Sequence, residues 1–464
     1  MKINLNHAVA LTLGLVTGAM SFTSCTNDLE VDRNIDPAGN AITFATSVGH
    51  TTRATETNLD NLGNFAVVAR GMHHDGQLYN SYLIGSAENG GDIARREGTS
   101  STWKLDHNVY WPATMNKVLF YAYTTLKGTD GNLTKVLGTG PVFGFDGNNA
   151  YIDNFKPEKA TEATNDIQAD GKGQKDLLVA YNGQAKSKSE TNVSLNFKHA
   201  LTQISINAKQ DGKLPSDNRI VKIKGAWIVN AAQTGKLTAT ATQEGTGENT
   251  EYTYVDSWAS TGAVAYGSVW KDAIQLDPTN PSNLLRNMSL MLIPQNLTAW
   301  DYENDKANTG KGAYILLLCR VELEHEGDTH DGVDLSDIGT ANGKHYHQLF
   351  PVNTTRYNDT EYGFVCVPLS SSWNTEGIGK HYTYNLNICG NGTGAGKYPP
   401  ALEVQTYKDS LVPASMSINV VFNNPDVTGK NPGDNVLDEP IQFTVTVDNW
   451  ETTGDWQPGD VDFF

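Results

Sequence analysis

Basic charge, paired cysteines, helical periodicity and long apolar runs are all scarce in this chain, and each scarcity removes a class of function. The 464 residues carry 34 Lys and Arg against 52 Asp and Glu, a net charge of −18. Phosphate binding needs a basic stripe, so nucleic acid and anionic lipid are poor partners. An acidic surface instead suits a body outside the cell. Cysteines number only 4, and none forms a CxxC pair, which argues against a zinc or thioredoxin-type site. Cys319, Cys366 and Cys389 each sit in a strand-like apolar run. Buried free thiols, packed as small hydrophobes, are expected there; one disulfide among the three is the alternative. No window of helix length carries a convincing 3.6-residue period.

Motifs for catalysis or metal binding fail on spacing. Glu324–His330 (EHEGDTH) imitates HExxH, but its second histidine comes one residue late for a single helix face. His345 and His347 (HYH) would share a strand face and are expected to be a solvent-facing pair. Asp328, Asp331, Asp334 and Asp337 recur at spacing three, unlike the alternate-residue ligands of an EF-hand, so a solvated acidic loop is expected. Gly390–Lys397 (GNGTGAGK) lacks the first Walker glycine and the Ser or Thr after the lysine. It reads as an inter-strand loop. No GxSxG occurs. The chain is therefore read as having no catalytic residue, no metal and no cofactor, and not as an enzyme.

Strand signals are what the chain does contain. Apolar residues make up 38%, and Gly, Asn, Thr and Ser are abundant. That mixture suits short strands joined by turns. Period-two alternation marks Ile42–Val48, Asn64–Ala69, Val118–Tyr123, Val193–Phe197, Lys236–Thr242, Tyr382–Ile388 and Met416–Phe422. Near the end, Ile441, Phe443, Val445 and Val447 alternate strictly with polar neighbours. The expectation is an all-β fold with sandwich-like layers, too long for one small core and hence two domains. Between Val193 and Ala208 the apolar phase slips from odd to even positions, so His199–Gln203 must absorb a bulge or bend. A strand changing face there would suit a crossing between two sandwiches. The Lys-rich stretch Gly183–Glu190 just before it reads as a linker edge.

The start of the chain carries the sharpest signal. Lys2 and the apolar Ala8–Val16 read as the first parts of a secretory signal, too short to span a bilayer as a stable helix. Phe22-Thr23-Ser24-Cys25 then resembles a bacterial lipobox, with Cys25 as the lipidated residue; a cut at Ala19 or Ser24 is the alternative. A lipid on Cys25 would tether the precursor to a membrane without spanning it. Arg53 lies in a polar segment, His50–Thr57, between two strand-like runs, where a trypsin-like protease would reach it. Arg95-Arg96 is a competing site.

The order of these motifs resembles the fimbrillin family, the type V pilins of Bacteroidia. The pieces run from Cys25 through Ile42-Thr43-Phe44, Thr52-Arg53-Ala54-Thr55, Phe65-Ala66-Val67, Tyr110-Trp111-Pro112 and Asp176–Ala180 to Leu195–Ile206. Ile293-Pro294-Gln295, Tyr382–Ile388 and Val447–Trp450 complete the series. The resemblance implies two tandem β-sandwich domains of transthyretin-like type and no enzymatic activity. Residues 1–24 would be the signal peptide and 25–53 a lipidated pro-segment. Residues 54–190 would form the N-terminal domain, and 191–464 the C-terminal domain with a donor tail.

It further implies cleavage at Arg53-Ala54 by an extracellular trypsin-like protease and loss of the first strand (Ile42, Phe44, Val48). The groove would be refilled by a neighbouring subunit, with the segment from Ile441 to Phe464 as the donor candidate. The strict alternation of Ile441–Val447 suggests that this part completes the subunit's own sandwich. Trp456, Val461 and Phe463 would then supply the knobs given to a neighbour. Partners would be other pilin subunits, the outer membrane through the precursor's lipid, and an unidentified surface ligand. The location would be the cell-surface fimbrium. A tip subunit, or a glycan-binding surface lipoprotein with Trp300, Trp373 and Trp456 as platforms, are the rival readings.

Overall fold

The computed structural model describes residues 41–48, 62–86, 90–98, 100–125, 136–160, 166–189, 191–210, 219–326, 338–341, 344–351, 359–369, 377–388, 395–421 and 431–449. Alternating apolar residues organise nearly all of them into strands, so the fold is all-β.

The N-terminal body is a barrel where open layers were expected. Seven strands close in the order Thr43–Val48, Val193–His199, Leu178–Ala185, Lys117–Thr124, Phe65–Met72, Asp92–Arg96, Thr102–Leu105 and back to the first. Thr43–Val48 makes the closure, because it pairs on both sides and leaves the sheet no free edge. Inside lie Phe44, Phe65, Val67, Trp103, Phe120, Leu195 and Phe197. Phe65–Met72 and Lys117–Thr124 are buried at every position, because a second sheet covers the barrel's outer face. That cover has the order Glu251–Thr261, Thr234–Glu244, Asn149–Phe155, Val142–Asp146. Tyr121, Tyr123 and Val179 of the barrel pack against Phe143, Ile152 and Leu237 of the cover.

The phase slip marks the passage between bodies. Val193–His199 belongs to the barrel, whereas Thr202–Gln210 belongs to a five-stranded sheet of the second body. Ala200 and Leu201, both fully buried, join them. Gly183 lies within a barrel strand and Lys186–Lys188 is a 3-10 turn, so a cut at residue 190 would pass through the barrel.

In the second body, Thr202–Gln210, Lys380–Ile388 and Gln442–Asn449 form the main path of one sheet. A ten-stranded sheet built on Arg219–Ala231, Val264–Gln275, Tyr314–Glu326 and Glu361–Pro368 faces it. Ile204, Ile206, Ile223, Leu317, Val365, Tyr384 and Leu386 fill the space between. The outer face of the larger sheet is covered by an unforeseen helix, Ala401–Leu411, through Tyr407 and Leu411. Its flanks carried the missed signal: Pro399-Pro400 before it and Pro413 after it. Met416–Phe422 is not the strand expected, since Ala414–Met416 is a 3-10 turn and, among its described residues, only Asn419–Val420 pairs.

Cys319 and Cys366 are buried and form no disulfide. They face opposite sides of one sheet, Cys319 the shared core and Cys366 the helix side. Cys389 lies outside the described residues.

One buried charge group ties this sheet together. Arg320 and Glu322 are fully buried, two apart on one strand, and ion-paired. Lys222 Nζ reaches Glu322 Oε2 at 2.6 Å, and Arg320 Nη1 donates to the Glu361 carbonyl at 3.1 Å. Burial pushes the Glu322 carboxyl up, but the bonds from Lys222 and Arg320 outweigh it and hold the group below its ordinary value of 4.5. A carboxyl with a depressed folded value contributes stability above its unfolded value and loses it as pH falls through the folded one. Arg320→Met should cost about 1.5–3 kcal/mol at neutral pH, because the buried Glu322 carboxylate keeps Lys222 but loses its charged bond from Arg320. Glu322→Gln should flatten the fall in melting temperature on acidification below about pH 4.5. Thermal melts across that range test both, and an unchanged Arg320→Met melt would refute the account.

Candidate functional site: the barrel seam

The closing strand takes part in the barrel's one parallel pairing among the described strands. It runs parallel to Val193–His199, pairing Phe44 with Val193 through Val48 with Phe197. On its other side it runs antiparallel to Thr102–Leu105, with Phe44 opposite Trp103. Parallel pairing is slightly the weaker kind. The strand also comes from the chain's N-terminal end, while its parallel partner lies 149 residues further on.

Alternation explains which side chains enter. Ile42 is 3% exposed and Phe44 is 0% exposed, and Val48 packs at the rim of the same core. The Phe44 ring meets Phe65 and Phe120 edge-on, each at 6.0 Å between centroids. Burying Ile42 and Phe44 contributes roughly 1.5–3 kcal/mol each. Just before the strand, the Ile42 amide donates to the Val109 carbonyl at 2.8 Å. The fit has one flaw. Thr46 Oγ1 is buried without a hydrogen-bond partner, which costs about 1–3 kcal/mol. The seam thus holds a strand that is well anchored at Phe44 and poorly satisfied two residues later.

On the outer face, Thr43 Oγ1 donates to Asn192 Oδ1 and Ser47 Oγ donates to Asn196 Oδ1, each at 2.6 Å. Neither asparagine stood out in the sequence. The only signal was their placement on the polar phase of Thr191–Phe197.

Several predicted residues lie elsewhere. Cys25, Arg53, Ala54, Trp456, Val461 and Phe463 fall outside the described residues, as do Trp373 and the acidic run Asp328–Asp337. The strand before Arg53 ends at Val48, and Leu62, fully buried, follows it. Arg95 and Arg96, the competing cleavage site, sit in a strand paired on both sides. Arg95 Nε bonds Asp106 at 2.9 Å, and the Arg96 guanidinium lies 4.9 Å over the Trp103 ring. A protease needs an extended, unpaired backbone, so this site is closed to it. Trp300 is buried and donates its indole N–H to the Asp305 carbonyl at 2.8 Å; it is no surface platform. Lys397 lies on a short strand, 4.0 Å over the Tyr302 ring, with Nζ 2.7 Å from Asn435 Oδ1. Among the described residues no three His, Cys, Asp or Glu side chains converge to hold a metal.

The last described strand lies at a sheet edge. Gln442–Asn449 pairs with Lys380–Ile388 along its full length, from Gln442 opposite Asn387 to Asn449 opposite Lys380. Ile441 is fully buried, whereas Val447 is 50% exposed.

No curated protein matches the chain. Among solved structures, a fimbrial protein of Bacteroides vulgatus is similar at 16% identity and a TM-score of 0.40, covering 75% of this chain and 95% of that one. A protein of Bacteroides uniformis, provisionally described as a cell adhesion protein, is similar at 12% identity and a TM-score of 0.32. It covers 89% of this chain and 98% of its own. A protein of Bacteroides eggerthii with the same description shares 11% identity at a TM-score of 0.35, covering 89% and 97%. The fimbrillin-like family model matches residues 52–393, most of the sequence. The chain belongs to the fimbrillin-like family.

Proposed function

We propose that this chain is a structural subunit of a cell-surface pilus, in the stalk, that works by assembly and adhesion. It is exported as a lipoprotein on Cys25, cleaved after Arg53 by an extracellular trypsin-like protease, and polymerised by strand exchange between subunits. Its partners are other pilin subunits and, for the precursor, the outer membrane. The observation that supports this reading most is the barrel seam. A strand from the N-terminal end closes the barrel, and Arg53 follows it in sequence. Its removal would leave an apolar groove with unpaired backbone on both walls, a state proteins avoid. A strand from a neighbour would restore both core and ladder. Contacts between two different surfaces extend as a filament when their rotation does not close a ring.

N-terminal sequencing of protein recovered from the cell surface tests the reading. The mature chain is expected to start at Ala54, and Arg53→Ala should leave an intact monomer. Limited trypsin treatment of the precursor should cut after Arg53 and spare Arg95-Arg96. Surface protein that still began at lipidated Cys25 would defeat the stalk assignment.

A further inference from the structure

Apolar alternation fixes which face of the closing strand points inward, but it does not fix register. A slide of one residue would turn Phe44 outward. A slide of two would keep Ile42, Phe44, Thr46 and Val48 facing in, so the core opposes it only through which side chain fills the Phe44 slot. The outer face does discriminate. Thr43 and Ser47 are four residues apart, as are Asn192 and Asn196, and the parallel ladder sets Ser47 opposite Asn196. Both hydroxyl–amide bonds, each 2.6 Å, therefore form together. A slide of two in either direction brings Ala45 against one of the asparagines and breaks the bond there. Asn192 also donates Nδ2–H to Thr102 Oγ1 at 3.2 Å, so it touches the strand and the seam's opposite wall at once.

We propose that Asn192 and Asn196 are the register-setting residues of the seam, reading hydrogen-bonding side chains on the outer face of whichever strand occupies it. This rests on the strand-exchange reading above. The incoming strand is the C-terminal tail of a second copy, running in the direction of the strand it replaces. Val461 takes the place of Ile42 and Phe463 that of Phe44, which sets Asp462 opposite Asn192 and Phe464 opposite Ser194, so of the two asparagines Asn192 is the one that reads the tail. There the asparagine, turned over, donates Nδ2–H to the carboxylate.

The test uses full-length precursor cut by limited trypsin and a fluorescein-labelled peptide of residues 40–48, read by anisotropy. The peptide should exchange in. Its Thr43→Val, Ser47→Ala form should bind roughly four- to a hundredfold more weakly, at about two- to tenfold per bond. On the Asn192→Ala, Asn196→Ala protein the two peptides should bind alike. A photo-crosslinker at position 44 should reach Phe65 and Phe120 in the wild-type seam and spread to other residues in the double variant. An unlabelled peptide of residues 450–464 should compete, and Asp462→Ala should weaken it on wild-type but not on Asn192→Ala protein. Equal binding of both strand peptides to the wild-type seam, with unchanged crosslinks in the double variant, would overturn the register role. A tail peptide that fails to compete would overturn the choice of occupant. If no peptide enters the cleaved protein, strand exchange itself fails, and the register role falls with it.

Discussion

Replacing Phe44 with aspartate is expected to remove most of the precursor's stability in the N-terminal body. The Phe44 ring is fully buried and packs edge-on against Phe65 and Phe120. Phe120 in turn packs against Trp111, and Phe65 against Trp103 and Phe197. Loss of a buried aromatic costs about 3–5 kcal/mol. An unpaired carboxylate at the same spot adds several kcal/mol more, since nothing at the barrel's centre would compensate it. The sum approaches the whole stability of an ordinary domain, about 5–15 kcal/mol. Two responses can relieve it: the body unfolds, or the strand leaves the seam and the barrel opens. Both expose apolar surface, so both should raise binding of a hydrophobic dye and lower the urea midpoint. Digestion near residues 43–48 separates them, because an ejected strand is cut while the other staves stay protected. Phe44→Leu, which keeps an apolar side chain in place, should retain much of the stability. An unchanged urea midpoint for Phe44→Asp would mean that the first strand adds nothing to the precursor.

What was legible in the sequence was local. Alternation located Thr43–Val48, Lys117–Thr124, Lys380–Ile388 and their partners to within a few residues. The slip between Val193–Phe197 and Ile204–Ala208 marked the passage between the two bodies, because a change of buried face is written in the apolar positions themselves. Barrel closure was not legible, because it depends on pairing between distant segments, and alternation specifies a face but not a partner. For the same reason the hairpin Thr234–Thr261 was not foreseen to cover a barrel built from earlier residues. Helix Ala401–Leu411 escaped because burial on one side demands few apolar residues, and Tyr407 with Leu411 does not make a strong periodic signal. Within the seam, Ile42 and Phe44 were legible as inward residues. Asn192 and Asn196 were not, since nothing in a polar residue's own neighbourhood reveals a hydroxyl 149 residues away.

Deleting Glu451–Phe464 should leave a precursor that folds and is still cut after Arg53, yet forms no polymer. The second body's edge strand ends before the deletion begins. Gln442–Asn449 completes its ladder on Lys380–Ile388 at Asn449, and Ile441 is already buried. Truncation therefore removes no rung of that ladder, and the melting temperature should stay close to that of the intact precursor. Assembly is another matter. Inserting Val461 and Phe463 into a vacated seam would bury two apolar side chains at roughly 1.5–3 kcal/mol each. That is the same order as the gain from Ile42 and Phe44, so the exchange is near balance in apolar burial alone. Backbone ladder bonds are replaced in part, since Asp462–Phe464 take the rungs of Thr43–Ala45 in that register. Against that stand the Thr46 hydroxyl, buried without a partner in the seam and hydrated once its strand leaves, and the release of the cleaved strand by dilution. A tail lacking Val461 and Phe463 has no apolar side chains of its own to offer the groove, and exchange should stop. The assay is a gel ladder of cleaved subunits incubated at high concentration, with the intact chain alongside. Normal ladders from the truncated protein would show that the tail is not the donor. A truncated precursor that failed to fold would show instead that the tail packs on its own domain.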